Sequence, residues 1–149
     1  MRRRGAKQAG RWLYPSTRWA IYLRDGLACT YCGVTMEECL ERQDNFLTVD
    51  HVIPKTPLKG GRRGGHEVTN LVTACYGCND DKGRSTLTAW ARARGDAPGK
   101  LWSRVRRRTA RPIEEYRLAA KMMLGASGIP GFNQLSELVY NHDWLCKRQ

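Results

Sequence analysis

Asn70-Leu71-Val72-Thr73-Ala74-Cys75-Tyr76-Gly77-Cys78-Asn79-Asp80-Asp81-Lys82-Gly83 carries a run of strand formers into a Cys-x2-Cys corner, with an Asn directly behind it. Residues Asn70 to Ala74 read as a short strand, and a helix is expected to begin around Asn79. A matching corner lies upstream, Cys29-Thr30-Tyr31-Cys32-Gly33, where Gly33 suits a tight turn. Four thiolates at two such corners can surround a tetrahedral ion with arms of ~2.3 Å, the coordination of structural zinc. The distant pairs staple two chain segments, and in a small domain such an ion can supply much of the folding free energy. Coincidental thiol pairs or an iron–sulfur cluster are the competing readings. Redox use would need only one corner.

Between the corners lies Leu47-Thr48-Val49-Asp50-His51-Val52-Ile53-Pro54. Phe46 to Ile53 reads as a strand, with Leu47 and Val49 alternating against Thr48 and Asp50, and Pro54 ends the ladder. The Asp50 carboxylate can hold a hard divalent cation. A neutral imidazole such as His51, with an ordinary pKa of ~6.5, can take a proton from water. Neighbouring side chains on a strand point to opposite faces, so a twist at the strand end is needed for the two to converge. Taken alone, the pair reads better as a buried, hydrogen-bonded histidine.

The chain has 149 residues, enough for one domain with a real core. Lys and Arg number 26 against 14 Asp and Glu, a formal charge of +12. Such a field draws in polyanions, and nucleic acid is the leading partner. A basic surface kept only for solubility is the bland alternative. A membrane surface fits less well, because no long amphipathic basic helix dominates. No stretch approaches the ~18 apolar residues of a spanning helix. Met1 to Arg11 is basic without an apolar signal-peptide core, so a cytoplasmic, reducing setting is expected. There Cys-x2-Cys spacing reads as metal ligation and not as disulfides. Cys39 and Cys146 stand outside the pattern and read as ordinary thiols.

Three segments follow: a basic N-terminal arm over 1–15 with Arg2, Arg3 and Arg4, a domain over 16–95 holding both corners, and a basic helical extension over 96–149. A disordered, charge-solubilised terminus is the bland reading of the arm. A first helix is expected with Ser16 or Thr17 as cap and Gly26 as its stop. Met36 to Arg42 reads as a short helix. Lys55 to Gly65 is a loop with four glycines and the cations Lys59, Arg62 and Arg63. Leu87, Trp90 and Ala91 share one helical face, and Leu101, Trp102 and Val105 another. Pro112 opens a helix carrying Ile113, Tyr116, Ala120 and Met123, with Gly125 as its stop. Asn133 to Tyr140 reads as a last helix. The 96–100 segment is the one plausible joint.

From Cys29 to Gly83 the chain resembles the HNH endonuclease family in its four-cysteine, zinc-stapled form. The resemblance rests on both Cys-x2-Cys corners, on Leu47 to Pro54, on Asn70 to Cys75, and on Cys78-Asn79-x2-Lys82-Gly83. It implies an α+β fold with a ββα-metal core and a Cys29, Cys32, Cys75 and Cys78 zinc site, flanked by helices. It also implies roles: His51 as general base, Asn70 bracing the inter-strand loop and orienting His51, and Asp50 and Asn79 as ligands of Mg2+ or Mn2+. Asn79 stands where many relatives have a final histidine. Lys82, about one helical turn on, is expected to face a phosphate. The implied activity is DNA hydrolysis by a monomer, most simply nicking, leaving 5′-phosphate and 3′-hydroxyl ends. A non-catalytic zinc-ribbon DNA-binding protein and an HNH-type ribonuclease are the alternatives.

The cations extend that expectation. Arg62 and Arg63 would lie near the scissile strand. Arg104, Arg107, Arg108 and Arg111 step by three or four and share a helical face for phosphates, unless that face is merely solvated. His66 and His142 read as surface residues.

Overall fold

The computed structural model describes residues 13–125. The basic arm with Arg2, Arg3 and Arg4, the Asn133 to Tyr140 helix, His142 and Cys146 lie outside the described residues. Within them six α-helices surround one two-stranded sheet. In chain order these are α1 (Pro15–Arg24), α2 (Met36–Arg42), β1 (Leu47–His51), a 3₁₀ turn (Val68–Asn70), β2 (Leu71–Cys75), α3 (Tyr76–Lys82), α4 (Leu87–Ala93), α5 (Pro98–Thr109) and α6 (Ile113–Gly125). The class is α+β, and β1, β2 and α3 form the ββα centre.

The strands pair antiparallel, with Leu47 opposite Cys75 and His51 opposite Leu71. β1 is shorter than the sequence suggests, and β2 has the expected length but begins one residue later. Asn70 closes the 3₁₀ turn instead of opening the strand, because its side chain is committed to the preceding loop. The following helix starts earlier, at Tyr76, because the Cys75 side chain caps it by accepting from Cys78 N. The ladder thus delivers Cys75 to the sheet end and Cys78 one turn into α3. All five residues of β2 are buried, so this strand is the floor of the core.

α1 begins with Pro15 at its first turn and Tyr14 as the N-cap, with no side-chain cap, so neither Ser16 nor Thr17 serves as one. Proline needs no N–H partner there and fixes φ for the helix. α2 starts with a reciprocal capping box between Thr35 and Glu38, worth about 1 kcal/mol. α1 packs against α6 and against β2, and α5 touches β2 and packs against α4. Leu87, Trp90 and Ala91 of α4 are buried, as are Leu101 and Val105 of α5 and Ile113 and Ala120 of α6. These share one apolar cluster with Trp19, Ile21, Leu71 and Val72.

A buried ion pair locks α1 onto the sheet. Arg24 binds Asp25 through Nε at 2.7 Å and a second nitrogen at 3.1 Å, and both side chains are fully enclosed. Arg24 also donates to the carbonyls of Val68 and Leu71, and Asp25 accepts from Thr73 N. Every charge-bearing atom there has a partner, the condition under which a buried pair is tolerated. Neither residue stands out in the sequence, because the backbone groups that satisfy the pair lie on elements about fifty residues away. No described helix is long and apolar enough to cross a membrane.

Candidate functional site

Two centres lie at the C-terminal ends of the two strands, which the antiparallel register sets at opposite ends of the ladder. The first is the sulfur cluster. Cys29, Cys32, Cys75 and Cys78 place their sulfurs within 4.8 Å of one another. Cys32 Sγ and Cys75 Sγ, from different corners, are 3.8 Å apart. A tetrahedron with arms of ~2.3 Å has edges of ~3.8 Å, so the spacing suits zinc. The first corner is shaped by Gly33, whose φ of 83° only glycine adopts without strain, and whose N–H reaches Cys29 O. Tyr31 N and Cys32 N donate to Cys29 Sγ, and Cys78 N donates to Cys75 Sγ. The protons of four crowded thiols conflict. Hydrogen bonding from Cys32 pushes Cys29 up, while the bond with Cys29 pulls Cys32 down to about 6. A divalent cation removes that conflict, because a coordinated thiol gives up its proton outright. The donor set therefore fits a structural zinc ion.

The second centre is at Asp50 and His51. The twist expected to converge these side chains is not what joins them. The Asp50 carboxylate is buried, and its Oδ2 accepts from Tyr31 Oη at 2.6 Å and lies 3.0 Å from Lys82 Nζ. Lys82 Nζ also donates to the His51 carbonyl at 2.9 Å, so one ammonium ties both residues to α3. This corrects the expected place of Lys82: it is 1% exposed and enclosed, not turned to a phosphate. Burial pushes the Asp50 carboxyl up, against the pull of Lys82 and of the Tyr31 hydrogen bond. Burial likewise pushes the Tyr31 phenol well up, and the Asp50 charge adds to it, so Tyr31 remains a donor.

His51 is half-buried, and its Nε2 lies 2.9 Å from His66 Nδ1, the rings 5.0 Å apart. His66 is thus not an isolated surface residue. Asn70 explains why it arrives there. Its Oδ1 accepts from Ile53 N, and its Nδ2 donates to Ile53 O and Gly65 O, so the loop between the strands closes next to His66. Gly64 is required in this closure: a Cβ there would collide with the Ile53 carbonyl oxygen. Asn79, on α3, donates through Nδ2 to Thr48 Oγ1 at 2.8 Å. Its amide oxygen has no hydrogen-bond partner among the described residues. Asp50 Oδ1 makes no side-chain hydrogen bond among the described residues, and the carboxylate as a whole is buried.

Two members of this centre carry no local signal in the sequence. Tyr31 is hidden inside a metal corner, and His66 lies outside the motif positions. Only the odd placement of a histidine four residues before Asn70 could have drawn notice to it.

The expected cations divide. Arg62 and Arg63 are exposed on the loop that carries His66. Arg104, Arg108 and Arg111 are not a merely solvated face. Arg104 donates to Tyr31 O at 2.7 Å, Arg108 to Ala28 O and Thr30 Oγ1, and Arg111 to Arg24 O. Arg104 and Arg108 clamp α5 onto the first cysteine corner, and Arg111, just past the helix, ties to the end of α1. Arg107 remains exposed.

Residues 29–85 match the HNH family, HNH endonuclease. No curated protein and no solved structure matches the chain. The matched segment spans both cysteine corners, both strands and α3, and its four-cysteine cluster fits the zinc-stapled form of that family.

Proposed function

We propose that this HNH domain makes the protein a metal-dependent endonuclease that hydrolyses DNA phosphodiester bonds with His51 as general base. One observation carries the reading: an accessible imidazole at the end of β1, steadied by His66, one residue from a buried carboxylate. A module that only bound nucleic acid would have no need of that arrangement.

Each residue has a task. His51 takes the proton of the attacking water. His66, through the bond to Nε2, holds the ring against rotation. Asn70 keeps the loop that carries His66 in register with β1. Asp50 and Asn79 would hold Mg2+ or Mn2+, both hard ions that prefer oxygen donors. Such an ion, when bound, offsets the negative charge that builds on the phosphoryl group and on the departing 3′ oxygen. Lys82 and Tyr31 hold the Asp50 carboxylate in place and oppose the upward push of its burial. Arg62 and Arg63 supply charge for the strand being cut. A single centre per chain suits nicking by a monomer.

The test is supercoiled plasmid incubated with Mg2+ or Mn2+, using the zinc-loaded protein and its His51→Ala variant, with RNA in parallel. Nicked circles from the first protein and intact plasmid from the second are expected. Equal cutting by both removes His51 as base. Intact plasmid from both favours a zinc-ribbon binding protein, and RNA cut in preference to DNA makes it a ribonuclease.

A further inference from the structure

Beside the first cysteine corner lies a cavity of about 460 Å³. Four guanidinium groups line it, from Arg104, Arg107, Arg108 and Arg111 of α5 and its C-terminal edge. The opposite wall is Asp25 to Gly33, the end of α1 and the cysteine corner. Among the described residues no carboxylate pairs with any of the four. Asp25 is the one acid in the wall, and its oxygens already serve Arg24 and Thr73 N. Even with the negative charge of a four-thiolate zinc centre nearby, the cavity keeps an excess of positive charge.

Three of these arginines are fixed by carbonyl oxygens at one end of the guanidinium. A guanidinium carries five N–H donors, so each retains several for a ligand. Rotamer entropy is already lost on folding, which lowers the entropic cost of binding an anion. An anion in the cavity would offset the mutual repulsion of the four cations. The geometry suits tetrahedral oxyanions, which guanidinium forks bind bidentately.

We infer that this cavity is a phosphate-binding site, separate from the His51 centre, and that it holds a backbone phosphate of the nucleic acid strand. The strand version rests on the nuclease reading; phosphate binding does not. Tyr31 joins the two places: its carbonyl accepts from Arg104 and its phenol donates to Asp50. A phosphate in the cavity would therefore fix the strand relative to the very corner that positions the carboxylate.

Arg107 offers a clean probe, because it lines the cavity and makes no hydrogen bond or ion pair among the described residues. The experiment uses full-length, zinc-loaded His51→Ala protein, so no cleavage intrudes. Affinity for a labelled oligonucleotide is followed by anisotropy across a salt series, with and without Arg107→Gln, and inorganic phosphate is added as competitor. Arg107→Gln is expected to weaken binding roughly tenfold at physiological salt, whatever the sequence, and to reduce the salt slope by about one. Zinc content should stay the same. Unchanged affinity and slope overturn the proposal. Phosphate binding that depends on Arg107 but that the oligonucleotide does not displace overturns the strand as occupant and leaves free phosphate. Arg107-dependent binding by a protein that fails the plasmid test would keep the cavity and reject only the nuclease reading.

Discussion

The sulfur cluster and the Asp50–His51 centre sit at opposite ends of one small antiparallel sheet and are built in opposite ways. The cluster takes four identical donors from two short repeats, and hydrogen bonds within each corner complete it. The other centre takes single residues from a cysteine corner, a strand, a loop and a helix, and each depends on the others for its place. The first can be closed by one ion. The second stays partly open, with His51 accessible and Asp50 enclosed. A binding site for a structural ion gains from saturation, whereas a hydrolytic centre must leave room for water and substrate. Tyr31 is where they touch, since the same short corner presents sulfur to one and a phenol to the other.

Breaking the first centre should have the largest effect. Cys75→Ser, or zinc withdrawal, is expected to cost on the order of 10 kcal/mol and unfold the domain, read by loss of the cooperative melting transition. Next comes Lys82→Ala, which leaves the buried Asp50 charge unpaired. About 3–5 kcal/mol should be lost, seen as a lower denaturation midpoint with zinc still bound. His51→Ala separates the centres most cleanly: cutting should fall about 10²–10⁴-fold while melting and zinc content stay put. His66→Ala is expected to reduce cutting less, roughly tenfold, with oligonucleotide affinity unchanged and partial recovery in His66→Asn. Tyr31→Phe is the smallest, about 1–3 kcal/mol in stability, but it should also weaken activation by Mg2+, because the Asp50 carboxylate loses its phenolic donor. If Tyr31→Phe altered zinc retention instead, the corner would belong to the sulfur cluster alone.

The same contrast governs how far the sequence could be read. The zinc corners and the ββα order are local patterns, so spacing and strand propensity reveal them. The α4 and α5 apolar faces were equally readable from their helical period, as Leu87, Trp90, Leu101 and Val105 show. Lys82 misleads because lysine is an ordinary surface residue, and only the packing of α3 over β1 encloses it. His66 and Tyr31 gain meaning from contacts across fifteen and nineteen positions, which no periodicity encodes. The arginines of α5 show a third case. Their shared face was visible, but their attachment to the cysteine corner is a tertiary fact.

The closure at Gly64 has a consequence for variation. Carbonyl contact fixes the residue at 64, and Asn70 fixes the chain on either side of it. The stretch from Leu58 to Arg63 hangs beyond that clasp, and all six of its residues are exposed. Lengthening or recolouring this tip leaves the clasp and the imidazole untouched. Substitutions at this tip, Arg62 and Arg63 included, are expected to change the surface charge there while the clasp beneath keeps its geometry.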